Sequence, residues 1–160
     1  MRYILSALAS AALALGVASC LEKDLETLEV YSGSDITAGF AYYRYVDQSA
    51  TLPASGENRV VQRQYTLVGR PSIAVDERQS TGTIRLTFTP SGTFSEAERA
   101  ACGLNPMVVA VSVSTAAVVT PLDGSPALGT PADWTRPHTY EVRAANGTSK
   151  RWTISVALNK

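Results

Sequence analysis

The chain has 160 residues, with 14 basic and 14 acidic side chains and one histidine. That balance excludes a nucleic-acid binder, which needs a basic footprint against the phosphates, and it excludes a polybasic membrane contact. With 45% hydrophobic residues and only two cysteines, the composition is that of a packed domain that disulfides do not staple.

Arg2 opens the chain and residues 4–16 are apolar except for Ser6 and Ser10. The run has the length of a secretory h-region and is short for a membrane span. It ends in Val17-Ala18-Ser19-Cys20. This ending resembles the lipobox of bacterial lipoproteins. The resemblance implies cleavage before Cys20, a diacylglycerol on its thiol and a fatty chain such as palmitate on its amino group. Each buried CH₂ contributes about 0.8 kcal/mol and a single chain holds only marginally, so two or more are needed for a lasting anchor. The alternatives are an ordinary secretory peptide with an incidental cysteine, or a transmembrane helix, against which Glu22, Lys23 and Asp24 argue by ending the apolar run. The acidic stretch at 21–26 resembles the short signal that sends lipoproteins of the Bacteroidetes to the outer face of the outer membrane. Facing the cell exterior is therefore expected, with a periplasm-facing orientation as the alternative. Removing residues 1–19 leaves about one domain's worth of chain, enough to bury roughly 70% of its unfolded surface. The expected organisation is a signal peptide over 1–19, a lipidated tether over 20–34 that stays mobile or adds an edge strand, and a sandwich domain over 35–160.

Within that domain, Ile36, Ala38, Phe40 and Tyr42 alternate with Thr37, Gly39 and Ala41, predicting a strand that continues through Tyr43 and Tyr45. Residues 51–58 read as a loop, 60–68 as a strand with Val61, Tyr65 and Leu67 on one face, and 73–75 as a short strand after Pro71. A polar turn at 76–81 precedes a strand in which Ile84, Leu86 and Phe88 oppose Arg85, Thr87 and Thr89. Ser95 can cap a short helix with Glu96 and Glu98 in its first turn. Met107, Val109, Val111 and Val113 alternate next, and 116–119 predicts a further strand before the turn-rich stretch around Asp123-Gly124. The clearest hairpin pairs His138, Tyr140, Val142 and Ala144 with Trp152, Ile154, Val156 and Leu158 across a turn containing Asn146-Gly147. Six to eight strands with one apolar and one polar face, and almost no helix, predict an all-β, Ig-like antiparallel β-sandwich.

The C-terminal half carries a second resemblance. Asp133-Trp134-Thr135-Arg136-Pro137 leads to Asn146-Gly147 and then to Lys150-Arg151-Trp152-Thr153, downstream of Thr83-Ile84-Arg85-Leu86-Thr87 and Leu104-Asn105-Pro106. This looks like the Ig-like module of Bacteroidetes surface lipoproteins, of the domain-of-unknown-function type called DUF5018. It covers 83–158, whereas 21–82 matches nothing. The segment from Thr89 to Cys102 departs from it in being longer and more helix-like. The chain ends two residues after the module, so no glycan-degrading partner module is expected. The resemblance carries no catalytic residues.

No catalytic constellation is visible. Asp123, Asp133 and Glu141 are scattered rather than paired as general acid and base, and the single His138 has no ligand spacing for a metal. No Gly-rich phosphate loop is present and no cofactor is expected. If Cys20 is lipidated, Cys102 has no disulfide partner and reads as a small buried residue. Aromatics are what remain. Alternation sends Phe40 and Tyr42 to one face and Tyr43 and Tyr45 to the other, and both faces cannot be core. One pair is therefore exposed, or strand ends and tether cover it. The candidate ligand-binding residues are Tyr43, Tyr45 and Trp134, the last as a stacking platform or a lid on the core. The expected function is a non-enzymatic surface module, held to the membrane by lipid on Cys20, with a glycan or a surface protein as partner. The alternative is a spacer subunit of an outer-membrane assembly with no ligand of its own.

Overall fold

A computed structural model describes residues 31–160. The expected leader, Cys20 and the tether as far as residue 30 lie outside the described residues. The alternating runs become strands: β1 (Ala38–Thr51), β2 (Asn58–Gln64), β4 (Ser72–Asp76), β5 (Thr81–Thr89), β6 (Met107–Ser112), β7 (Val118–Leu122), β9 (His138–Arg143) and β10 (Ser149–Leu158). Two more, β3 (Thr66–Leu67) and β8 (Pro131–Ala132), are only two residues long, too short for periodicity to reveal. The helix α1 (Glu96–Ala101) starts at Ser95, whose side chain accepts from the Glu98 amide while the Glu98 carboxylate accepts from the Ser95 amide. This reciprocal cap satisfies two donors that a helix start otherwise leaves unpaired.

The strands form two facing sheets, in the orders β2-β1-β6-β8 and β3-β5-β10-β9-β7, with β4 on the same edge of β5 as β3. The all-β sandwich is the architecture read from the sequence. One pairing departs from a wholly antiparallel plan. β5 and β10 run parallel, from Thr81 opposite Arg151 to Phe88 opposite Leu158. Between them the chain crosses to the first sheet and back twice, through β6, β7, β8 and β9 in turn, so no tight turn imposes an antiparallel return. The hairpin of β9 and β10 forms as expected, with Trp152 opposite Tyr140 and Ile154 opposite His138.

Ile84, Leu86, Phe88, Tyr140, Val142, Trp152 and Ile154 come from the second sheet, and Ala41, Met107 and Val109 from the first, into one buried core. Two glycines let large side chains in. Gly39 lies under Leu86, and Gly82 lies under the indole of Trp152. The indole nitrogen of Trp152 donates to the Ser34 carbonyl at 3.0 Å, and the amide of Asn146 donates to the Tyr31 carbonyl at 3.2 Å. Lys150, 6% exposed, reaches the carboxylates of Asp35 at 2.6 Å and Glu77 at 3.0 Å. Burial opposes its charge, but the hydrogen bonds it donates to the two carboxylates prevail and raise its pKa above that of an ordinary lysine. The segment 31–36 is thereby tied to the turn end of the β9–β10 hairpin, and Ile36 joins the core.

Candidate functional site

β1 is longer than the sandwich. Its residues 38–42 pair with β6, but beyond Tyr42 only β2 accompanies it, leaving a two-stranded ribbon. The inner face of that ribbon holds Tyr43, Tyr45 and Arg63, and the segment around α1 fills the space beneath. Tyr43 lies 5.3 Å from Tyr45 and 6.3 Å from Phe94, ring centre to ring centre, and Phe94 stacks on Tyr65 at 5.3 Å. The carboxylate of Glu98 accepts from the Ser95 amide at 2.7 Å, the Tyr45 hydroxyl at 3.0 Å and Arg63 Nε at 3.2 Å. The backbone donor at Ser95, with the Arg63 and Tyr45 donors behind it, pulls the Glu98 pKa down to about 2. The same contact raises the pKa of Tyr45, because its hydroxyl is held as a donor to a carboxylate. Tyr43 is raised chiefly by burial. The two tyrosines named as ligand contacts therefore secure the helical insertion to the ribbon.

Of the two roles expected of Trp134, platform or lid on the core, the buried one holds. Trp134 is 1% exposed, stacks on Tyr140 at 6.4 Å and meets the edge of His138 at 4.8 Å, so it is core and presents no face to a ligand. Its partner His138 is buried too, with Nε2 2.7 Å from the Asp133 carbonyl. Asp133 turns its carboxylate to the hydroxyl and amide of Thr135, which lower its pKa. Cys102 is a buried free thiol whose pKa burial raises, and it sits beside Tyr65. The Tyr65 hydroxyl has no partner in hydrogen-bonding geometry, although Cys102 and Gly103 are its neighbours, and burial pushes its pKa far above the usual phenol value.

The other aromatic pair is the one that faces outward. Phe40 is 37% exposed and Tyr42 half-buried, because small Gly39 and Ala41 take the inward positions where the sheets approach. Antiparallel register sets Tyr42 between Gln64 and Val108, with Pro131 beyond, in a row across all four strands of the first sheet. The neighbouring rows pair Phe40 with Ala110, Arg44 with Gln62 and Val46 with Val60. The last two are 49% and 50% exposed. The result is an apolar, aromatic surface flanked by two amides and a guanidinium. Alternation left one pair either exposed or covered, and the sequence candidates Tyr43 and Tyr45 are the inward pair, whereas Phe40 and Tyr42 are the outward one. The small inward residues 39 and 41 were the available signal.

Two facing β-sheets with almost no helix, and an outward aromatic face on the first sheet, define the class: an all-β sandwich module. Comparison with known proteins then places it. The DUF5018-related family matches residues 36–155, so the chain belongs to that family, and β1 to β4 are part of the family domain rather than an unmatched preface. A crystal structure of a "putative secreted protein" from Bacteroides fragilis is similar, with 44% identity over 82% of this chain and 99% of that one and a TM-score of 0.63. No curated protein matches.

Proposed function

We propose that this chain is a lipid-anchored, non-enzymatic binding module on the outer face of a bacterial outer membrane. The observation that carries the binding role is the outward patch of Phe40, Tyr42, Arg44, Gln62 and Gln64 on the first sheet. An aromatic face offers a flat apolar contact to the C–H face of a sugar ring, and amide and guanidinium groups beside it match ring hydroxyls. These polar neighbours favour a glycan over a protein partner. The Val17-Ala18-Ser19-Cys20 ending supports the anchor, and a secreted-protein relative from Bacteroides fragilis supports export.

Two measurements test this. Metabolic labelling with a palmitate analogue tags the chain and stops doing so in Cys20→Ser; an untagged product released to the medium refutes the anchor. A glycan array with the full-length protein gives binding that Phe40→Ser with Tyr42→Ser abolishes. Absence of binding at millimolar sugar refutes the glycan role and leaves the spacer reading.

A further inference from the structure

The outer face of the second sheet carries a different surface. Register across β4, β5 and β10 sets Ser72, Arg85 and Ser155 in one row, with Thr83 and Thr153 side by side in the next. These side chains line an open groove of about 410 Å³ whose wall is Pro137. A second depression of about 200 Å³ shares Arg85, Pro137 and Ser155 and extends the groove past Thr135 and Arg136. The lining therefore contains two arginines, five hydroxyl side chains, no acid and no aromatic ring.

Both arginines are free to act. Four cations of the described residues are held in ion pairs, Arg59 by Asp47, Arg63 by Glu98, Arg151 by Asp123 and Lys150 by Asp35 and Glu77, and neither groove arginine is among them. Arg85 and Arg136 make no ion pair among the described residues. Asp133, whose pKa Arg136 lowers through charge, engages its carboxylate in hydrogen bonds from the amide and hydroxyl of Thr135 rather than in an ion pair with Arg136. A guanidinium fork matches the two oxygens of a carboxylate or sulfate, and hydroxyls in register match a polyhydroxylated chain. Adjacent strands repeat about every 4.8 Å, close to the length of a sugar residue, so rows of Ser72, Arg85 and Ser155 can be met along a polymer.

We infer that this groove, on the sheet opposite the aromatic face, binds an acidic polysaccharide, with Arg85 and Arg136 holding its carboxylate or sulfate groups. The absence of an aromatic platform from the lining separates it from a site for neutral sugar.

Affinity electrophoresis of the full-length protein tests it in gels containing polygalacturonate, dextran sulfate or plain dextran. Expected is retardation by one or both charged polymers and none by dextran; which polymer retards distinguishes carboxylate from sulfate. Arg85→Gln with Arg136→Gln weakens retardation at least tenfold, while Arg70→Ala with Arg99→Ala, which removes the same charge elsewhere, leaves it within twofold. Thermal melting confirms that both double variants fold, and Ser155→Ala, which leaves both arginines in place, weakens binding by a smaller factor. No retardation by either polyanion overturns the inference. So do equal retardation by dextran and equal loss in the two double variants. The Phe40 and Tyr42 variants leave this binding unchanged, so its failure and failure of the aromatic-face reading are separable.

Discussion

Gly82 is the position where one added methyl group probes the packing most directly. Its neighbour in the parallel register is Trp152, and a Cβ built on Gly82 would stand 2.7 Å from Cδ2, Cε2 and Cε3 of the indole. Carbon atoms prefer at least about 3.5 Å, so the ring must move by about 0.8 Å. It has little room to do so. The indole is wholly buried, and its nitrogen is fixed to the Ser34 carbonyl at 3.0 Å. Overpacking of this kind costs about 1–3 kcal/mol, and alanine returns about 0.4–1 kcal/mol by restricting the unfolded chain. The net expectation for Gly82→Ala is a loss of about 1–2 kcal/mol, a fall in Tm of roughly 3–8 °C for a domain of this size. Thermal melting followed by tryptophan fluorescence reads it. Gly103→Ala is the control, since nothing stands closer than 3.7 Å to its added Cβ, and it melts at or slightly above the parent. If Gly82→Ala melts at or above the parent, the packing of Trp152 on the glycine is wrong.

Glu98 predicts an acid response. Its folded pKa of about 2 lies below the ordinary 4.5, so the ionised carboxylate stabilises the fold fully above pH 4.5, and this contribution is lost as pH falls from 4.5 toward 2. Glu98→Gln therefore lowers the Tm at neutral pH and flattens its decline across that window; a parallel decline in both proteins removes Glu98 as the cause. Tyr65→Phe deletes a buried hydroxyl that has no partner, so stability rises or holds within about 1 kcal/mol, in contrast to a bonded tyrosine. Urea unfolding measures it, and a loss above about 2 kcal/mol shows that the hydroxyl has a partner in solution.

Local chemistry made much of this protein legible in its residues. The alternation of Ile84, Leu86 and Phe88 with threonine and arginine is a strand with one dry face, and Asn146-Gly147 supplies the backbone turn, with Gly147 at φ 87°, that joins β9 to β10. Ser95 and Glu98 close a helix start upon themselves within four residues. Each depends on neighbours in sequence, so one short window suffices to read it. Which aromatic pair of β1 faces outward was hinted at by the small residues at 39 and 41 but decided outside such a window. It turns on Leu86 from the other sheet packing over Gly39, and on Glu98 drawing Tyr45 inward. The row of Ser72, Arg85 and Ser155 is likewise a product of register, and it includes a parallel pair that no turn dictates. A strand's own sequence specifies two faces but not which of them another sheet will cover. That decision belongs to contacts between residues far apart in the chain, where the free energy of burying one face against a partner selects the outcome.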